Sequence, residues 1–393
     1  MSRLIAASSL SGALAGALAL SALPVSSSAT PSPRSTSPAT MSAAQSANLA
    51  CARTLISTWS LTHVARETVV VSAQASDLAA MTGAATQGYG GFILFGASAP
   101  ASLPVTIRSL AHLEPDARAP MVMSDDEGGG IIRFSNLVGT WPWAQTMGST
   151  MTPAQIAQVG RRVGLALAKV GLNVDLAPVA DVDGRAVWPG ATNPDGLRSF
   201  GASATKDAAD VVAFASGLRG AHVLAVVKHF PGLGYATGNT DNGPAATRPW
   251  SQLQSGGLVP FRQAFASGVN AVMMSNASIP GLTTLPAGIS AVAVAQLRQK
   301  MGFNGLIMTD ALGAGAILQR HLSIAQASVA ALAAGVDQVL GTNPASPQQA
   351  LQTASLTTAA IVAAVSKGTL TRTVLVAAAA HVLAATNSLS CPG

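Results

Sequence analysis

Eight short apolar runs recur along the chain, at 68–72, 91–95, 120–124, 173–178, 225–229, 270–275, 305–310 and 337–341. Most lack strict alternation of apolar and polar positions, the pattern of parallel strands covered on both faces. Between them lie Ala-rich or amphipathic stretches of helical character, such as 153–170, 206–221, 258–267 and 291–301. Strands alternating with helices imply βα units, and eight of them in roughly 340 residues predict an α/β fold, a single-domain (β/α)8 TIM barrel. The alternative is an open doubly wound sheet. That fold would carry a Gly-rich dinucleotide turn after its first strand, and Ser72-Ala73-Gln74-Ala75 has none.

In such a barrel, chemistry gathers at the C-terminal ends of the strands. Polar residues fall there: Asp125 after the third run, Asp181 and Asp183 after the fourth, Lys228 and His229 closing the fifth, Asn276 after the sixth and Asp310 closing the seventh. Helix N-caps also fall just after strands, a reading strongest for Asp183. The fifth run breaks into AVVKHFPGLGYATGNTDNGP, where Lys228 and His229 stand together before a Gly/Pro-rich loop. Neighbours on a regular strand point to opposite faces, so a site using both needs irregular backbone at that point.

Composition narrows the class. The chain is 49% hydrophobic, with 10% charged and 4% aromatic residues, which marks a globular protein and not a disordered one. The net charge of +6 is spread over 22 Lys and Arg, with no run longer than Arg161-Arg162. We read it as a whole-surface property favouring an anionic cell envelope, and not as a nucleic-acid footprint.

Arg3 precedes an apolar run of small residues from Leu4 to Leu23. Residues 1–29 are therefore expected to be a secretory signal peptide, cleaved after Ala22 or Ala29. The small residues and Pro24 argue against a retained anchor, so no stable membrane insertion is expected after cleavage. Residues 30–50 are read as a Ser/Thr/Pro-rich linker and 51–393 as the barrel. The expected location is secreted or cell-envelope associated. Cys51 and Cys391 flank the folded region, and in an oxidising compartment they are expected to form a disulfide. Lipid modification of Cys51 is the alternative, disfavoured by its distance from the apolar run.

No HExxH, CxxC or GxxxxGK[ST] pattern occurs, so no metal, nucleotide or other cofactor is implied. GxSxG, the serine-hydrolase pattern, is absent too.

Five stretches, in order, carry a family resemblance: SDDEGG at 124–129, LAPVADV at 176–182, RSFG at 198–201, KHFPGLG at 228–234 and GFNGLIMTDAL at 302–312. KHFPGLG resembles the KHFPGHG signature of glycoside hydrolase family 3, whose single-domain members are mostly β-N-acetylglucosaminidases. The resemblance runs from about Leu55 to Leu383. It implies a retaining glycosidase acting on terminal β-linked N-acetylglucosamine of peptidoglycan-type saccharides. A β-glucosidase or other β-hexosidase, and a non-catalytic saccharide-binding protein of the envelope, are the alternatives. Family members acting as β-glucosidases usually carry a second domain after the barrel, and the chain is expected to lack it.

The resemblance also assigns residues. Asp310, in Thr309-Asp310-Ala311-Leu312, falls at the family's nucleophile, with Ala311 replacing the second Asp of its SDDL pattern. Asp125, Arg133, Arg198, Lys228 and His229 match sugar-binding positions, where a carboxylate accepts from hydroxyls and cations donate to them. The run Gly128-Gly129-Gly130 is expected to let backbone approach the sugar, although Gly130 replaces an Arg of the family pattern. The departure is greatest at the acid/base. The N-acetylglucosaminidase branch carries Asp-Ser-His on a mobile loop, and this chain has Asn239-Thr240-Asp241. Either Asp241 is itself the acid/base, closing over the ligand on a mobile 234–243 loop, or the site binds sugar and turns it over poorly.

Overall fold

The computed structural model describes residues 43–115 and 119–385. The expected signal peptide, the linker as far as residue 42, and Cys391 lie outside the described residues.

Each of the eight apolar runs contains a strand. In chain order they are β1 (Val69–Gln74), β2 (Gly91–Phe95), β3 (Met121–Ser124), β4 (Val174–Asp175), β5 in two pieces (Leu224–Ala225 and Val227–Phe230), β6 (Ala271–Met274), β7 (Leu306–Thr309) and β8 (Val339–Leu340). All pair in parallel with their chain neighbours, and β1 pairs with β8 through Val69 opposite Val339 and Val70 opposite Leu340. A parallel bridge between Met308 and Gln338 closes the ring between β7 and β8. The architecture is the (β/α)8 barrel.

The missing alternation has a simple cause. Val70, Ile93, Met121, Met123, Val174, Leu176, Val226, Ala271, Met273, Leu306, Met308 and Leu340 fill the barrel interior. Their neighbours Val69, Val71, Phe92, Leu94 and Val122 face outward into a second core beneath the helices. Each Val, Leu, Ile, Phe or Met among them contributes about 1.5–3 kcal/mol on burial, so both faces stay apolar.

The helix Pro153–Val170 begins with Thr152 and Gln155 in a reciprocal capping box and ends at Gly171, whose φ of 100° suits glycine. Its buried residues Ile156, Val159, Val163, Leu167 and Val170 recur at helical spacing.

The start of the folded region needs correction. Helix Ala43–Ile56 occupies the last part of the expected linker, because Leu49, Ala52 and Ile56 form one buried face. That face packs on the C-terminal helix Arg372–Ala385. Cys51, on the same helix, is disulfide-bonded, which overturns the lipid-modified alternative. No described helix is long and apolar enough to cross a membrane.

Candidate active site

A cleft of about 240 Å³, open to solvent, lies at the C-terminal ends of the strands. Asp125, Arg133, Arg198, Lys228, His229, Asp241 and Asp310 all line it. Seven positions scattered from 125 to 310 therefore converge on one place.

Strand β5 delivers the centre. Its register against β6 shifts between Val227 and Phe230, and the Lys228–His229 and Phe230–Pro231 peptides are cis, so the backbone is irregular where expected. Lys228, 1% exposed, places its ammonium 2.8 Å from Asp125 Oδ1 and 2.6 Å from Glu127 Oε1. Arg198 donates to both oxygens of Glu127, each at 2.8 Å, and to the Pro194 carbonyl. Arg133 reaches Asp125 Oδ2 at 3.4 Å. Burial alone would push these carboxyls up. For Glu127 the charges of Arg198 and Lys228 outweigh it and hold the carboxyl well below its ordinary value. Asp125 is held down likewise by Lys228 and Arg133.

His229 is fixed from two sides. Its Nδ1 donates to Asp181 Oδ2 at 2.7 Å, its backbone N–H to Asp181 Oδ1 at 3.0 Å, and its Nε2 faces Arg198 at 3.4 Å. Burial first, then the Arg198 charge, lowers its pKa to about 4, so the ring is neutral near pH 7. Burial raises Asp181 to about 6. Asp195 is buried beside them, and burial and the charge of Asp181 push it well above the ordinary range. Asp181, Asp195 and His229 hold their ligand atoms within 4.8 Å of one another, the one such group among the described residues that could hold a cation.

Asp310 follows β7. Its Oδ1 accepts from the Ala311 N–H at 2.7 Å, and burial, with Asp241 adding and His229 opposing, raises its carboxyl above the ordinary range. Ala311, in place of a second carboxylate, contributes that N–H and cleft wall. Asn276 lies behind the segment, donating from Nδ2 to the Ala311 carbonyl at 2.8 Å.

Three expectations change. Asp183 is no helix cap: its carboxylate takes Nε and Nη2 of Arg185 and the Tyr235 N–H. The loop carrying Asp241 is tied down, not free. Gly315 N–H donates to the Asp241 carbonyl and Ala316 N–H to the Thr240 carbonyl, both at 2.9 Å, and Gln319 Nε2 to Asn242 at 3.0 Å. Asp241 itself stays exposed at the cleft mouth. Third, the glycine run closes on the rings of Trp143 and Trp188. A Cβ on Gly129 would fall 2.0 Å from the Trp143 ring, and one on Gly130 2.9 Å from Trp143 and 3.2 Å from Trp188. The Arg of the family pattern has no room there.

Sequence reasoning passed over Glu127 and left Asp181 as a strand-end residue only. Both stand inside quoted motifs, SDDEGG and LAPVADV, so a marker existed. Asp195 had none.

A parallel barrel whose strand ends converge on a cleft of paired cations and carboxylates defines a barrel-enzyme architecture. The model of the glycosyl hydrolase family 3 N terminal domain matches residues 69–385, and the chain belongs to that family. It is 36% identical over 233 residues to beta-hexosaminidase LpqI of Mycobacterium tuberculosis, a match covering 56% of this chain and 58% of LpqI. It is 35% identical over 298 residues to an uncharacterized secreted glycosyl hydrolase of Arthroderma benhamiae, covering 72% of this chain and 80% of that one. The crystal structure of a GH3 family member from Mycobacterium smegmatis superposes with a TM-score of 0.77 at 28% identity, covering 85% of this chain and 99% of the other.

Proposed function

We propose that the protein is a secreted, retaining glycoside hydrolase that releases terminal β-linked N-acetylglucosamine from peptidoglycan-type saccharides. The observation that carries this reading is the meeting of Asp310 and Asp241, from separate loops, in one cleft floored by Asp125, Lys228, Arg198 and His229. The beta-hexosaminidase name of the mycobacterial relative supports the sugar, and the secreted fungal relative supports export.

In this reading the ammonium of Lys228, the guanidinium groups of Arg198 and Arg133, the carboxylate of Asp125 and the neutral ring of His229 bind the terminal sugar's hydroxyls. The Asp310 carboxylate attacks the anomeric carbon while Asp241 gives its proton to the departing oxygen. The C–O bond breaks, and a glycosyl ester on Asp310 forms. Asp241, now a carboxylate, takes a proton from water, whose oxygen displaces Asp310 and restores the starting configuration.

Hydrolysis of an aryl β-N-acetylglucosaminide tests this. Asp310→Asn is expected to lower kcat by about 10³-fold or more, and Asp241→Asn by about 10²–10⁴-fold. Full activity in either variant, or sugar binding by wild type without turnover, would reject the two-carboxylate reading.

A further inference from the structure

Trp188 is 68% exposed, and its neighbour Val187 46%, an exposed apolar pair a few residues before the cleft residues Pro194 and Arg198. The segment that bears them is hydrogen-bonded to the loops that carry cleft residues. The Val187 carbonyl accepts from Leu197 N–H at 3.0 Å, just before Arg198, and the Ala191 carbonyl accepts from Asn239 N–H at 2.9 Å, on the Asp241 loop. On its other side Trp188 abuts Gly130, which precedes the cleft residue Ile131. Trp143 braces it edge-on, with ring centroids 5.1 Å apart and planes at 87°. The braced indole is thus exposed on a segment tied both to the stretch before Arg198 and to the Asp241 loop.

We propose that Trp188 is a stacking platform for the second sugar ring of a saccharide whose terminal ring occupies the cleft. The apolar C–H face of a pyranose matches an indole face, while its hydroxyls stay in water at the ring edge. A rigid aromatic offers such area at low conformational cost. Glycine at 130 is what makes room for the pair. The proposal rests on the cleft being a saccharide site, and deepens that reading by adding recognition of the aglycone.

The test is calorimetric titration of Asp310→Asn protein, with and without Trp188→Ala, using N-acetylglucosamine and its β-linked trimer. Trp188→Ala is expected to raise the trimer's Kd about tenfold and to leave the monosaccharide's within about twofold, with Trp188→Tyr recovering most of the loss. Unchanged trimer affinity overturns the proposal. So does equal weakening of both sugars, which would make Trp188 a prop for the pocket, and so does failure of either sugar to bind. Because binding is read without turnover, a wild-type protein that binds the trimer and does not hydrolyse it defeats the hydrolase reading alone.

Discussion

Glu127 accepts from Nε and Nη2 of Arg198 and from the Lys228 ammonium, so one buried carboxylate fixes two of the cations that line the cleft. Glu127→Gln leaves two buried cations short of a counter-charge and is expected to cost about 3–5 kcal/mol at pH 7 by denaturant titration. The sign with pH follows. Its folded-state pKa lies below the unfolded 4.5, so the stabilisation is present above 4.5 and is lost as pH falls below it. The gap between wild type and variant should therefore close in acid. Asp310 moves the other way. Its raised pKa places the acid limb of kcat/KM above the ordinary 3.8, and Asp241→Asn, which removes a nearby negative charge, should shift that limb to lower pH. A pH profile with an activated aryl leaving group, which needs no acid to depart, reads this directly. At this scale the family motifs made most of the cleft legible. Glu127 escaped because a carboxylate that faces the sugar and one that faces a cation look alike in a sequence.

Among the elements, the strands were the most legible, since burial on both faces leaves unbroken apolar runs. Loops were less so. The expected mobile lid is held by backbone donors of Gly315 and Ala316, remote in sequence, and nothing local to Asn239–Asp241 announces that contact. A Cβ on Gly315 would come within 2.6 Å of the Asn242 backbone and 2.8 Å of the Asp241 carbonyl. Gly315→Ala should displace the Asp241 loop and lower kcat by about 10²-fold, because small misplacements of a proton donor are costly. Its melting temperature should hardly move, as the contact lies outside the core. The glycine run at 128–130 teaches the same lesson. Its spacing promised closeness to something, and only the fold shows that the something is Trp143 and Trp188.

Across the whole molecule, the ring closes where pairing is thinnest, between β7 and β8. Asp337 reinforces that seam: Oδ2 accepts from Ile307 N–H at 2.7 Å and from Arg298, and Oδ1 meets Nδ1 of His381, on the C-terminal helix, at 2.8 Å. Asp337→Ala should destabilise the protein by about 3–5 kcal/mol in denaturant. It should leave kcat at 25 °C within about twofold, since the seam lies away from the cleft. The barrel's purpose in this account is to bring Asp310 to an anomeric carbon. The most direct test is peptide mass spectrometry of Asp241→Asn protein after brief reaction with an activated aryl β-N-acetylglucosaminide, where the glycosyl ester forms readily and hydrolyses slowly. The account predicts one N-acetylhexosamine added to the peptide that contains Asp310, and none in the Asp310→Asn variant. An adduct on another residue, or steady product release with inverted configuration and no adduct, would contradict it.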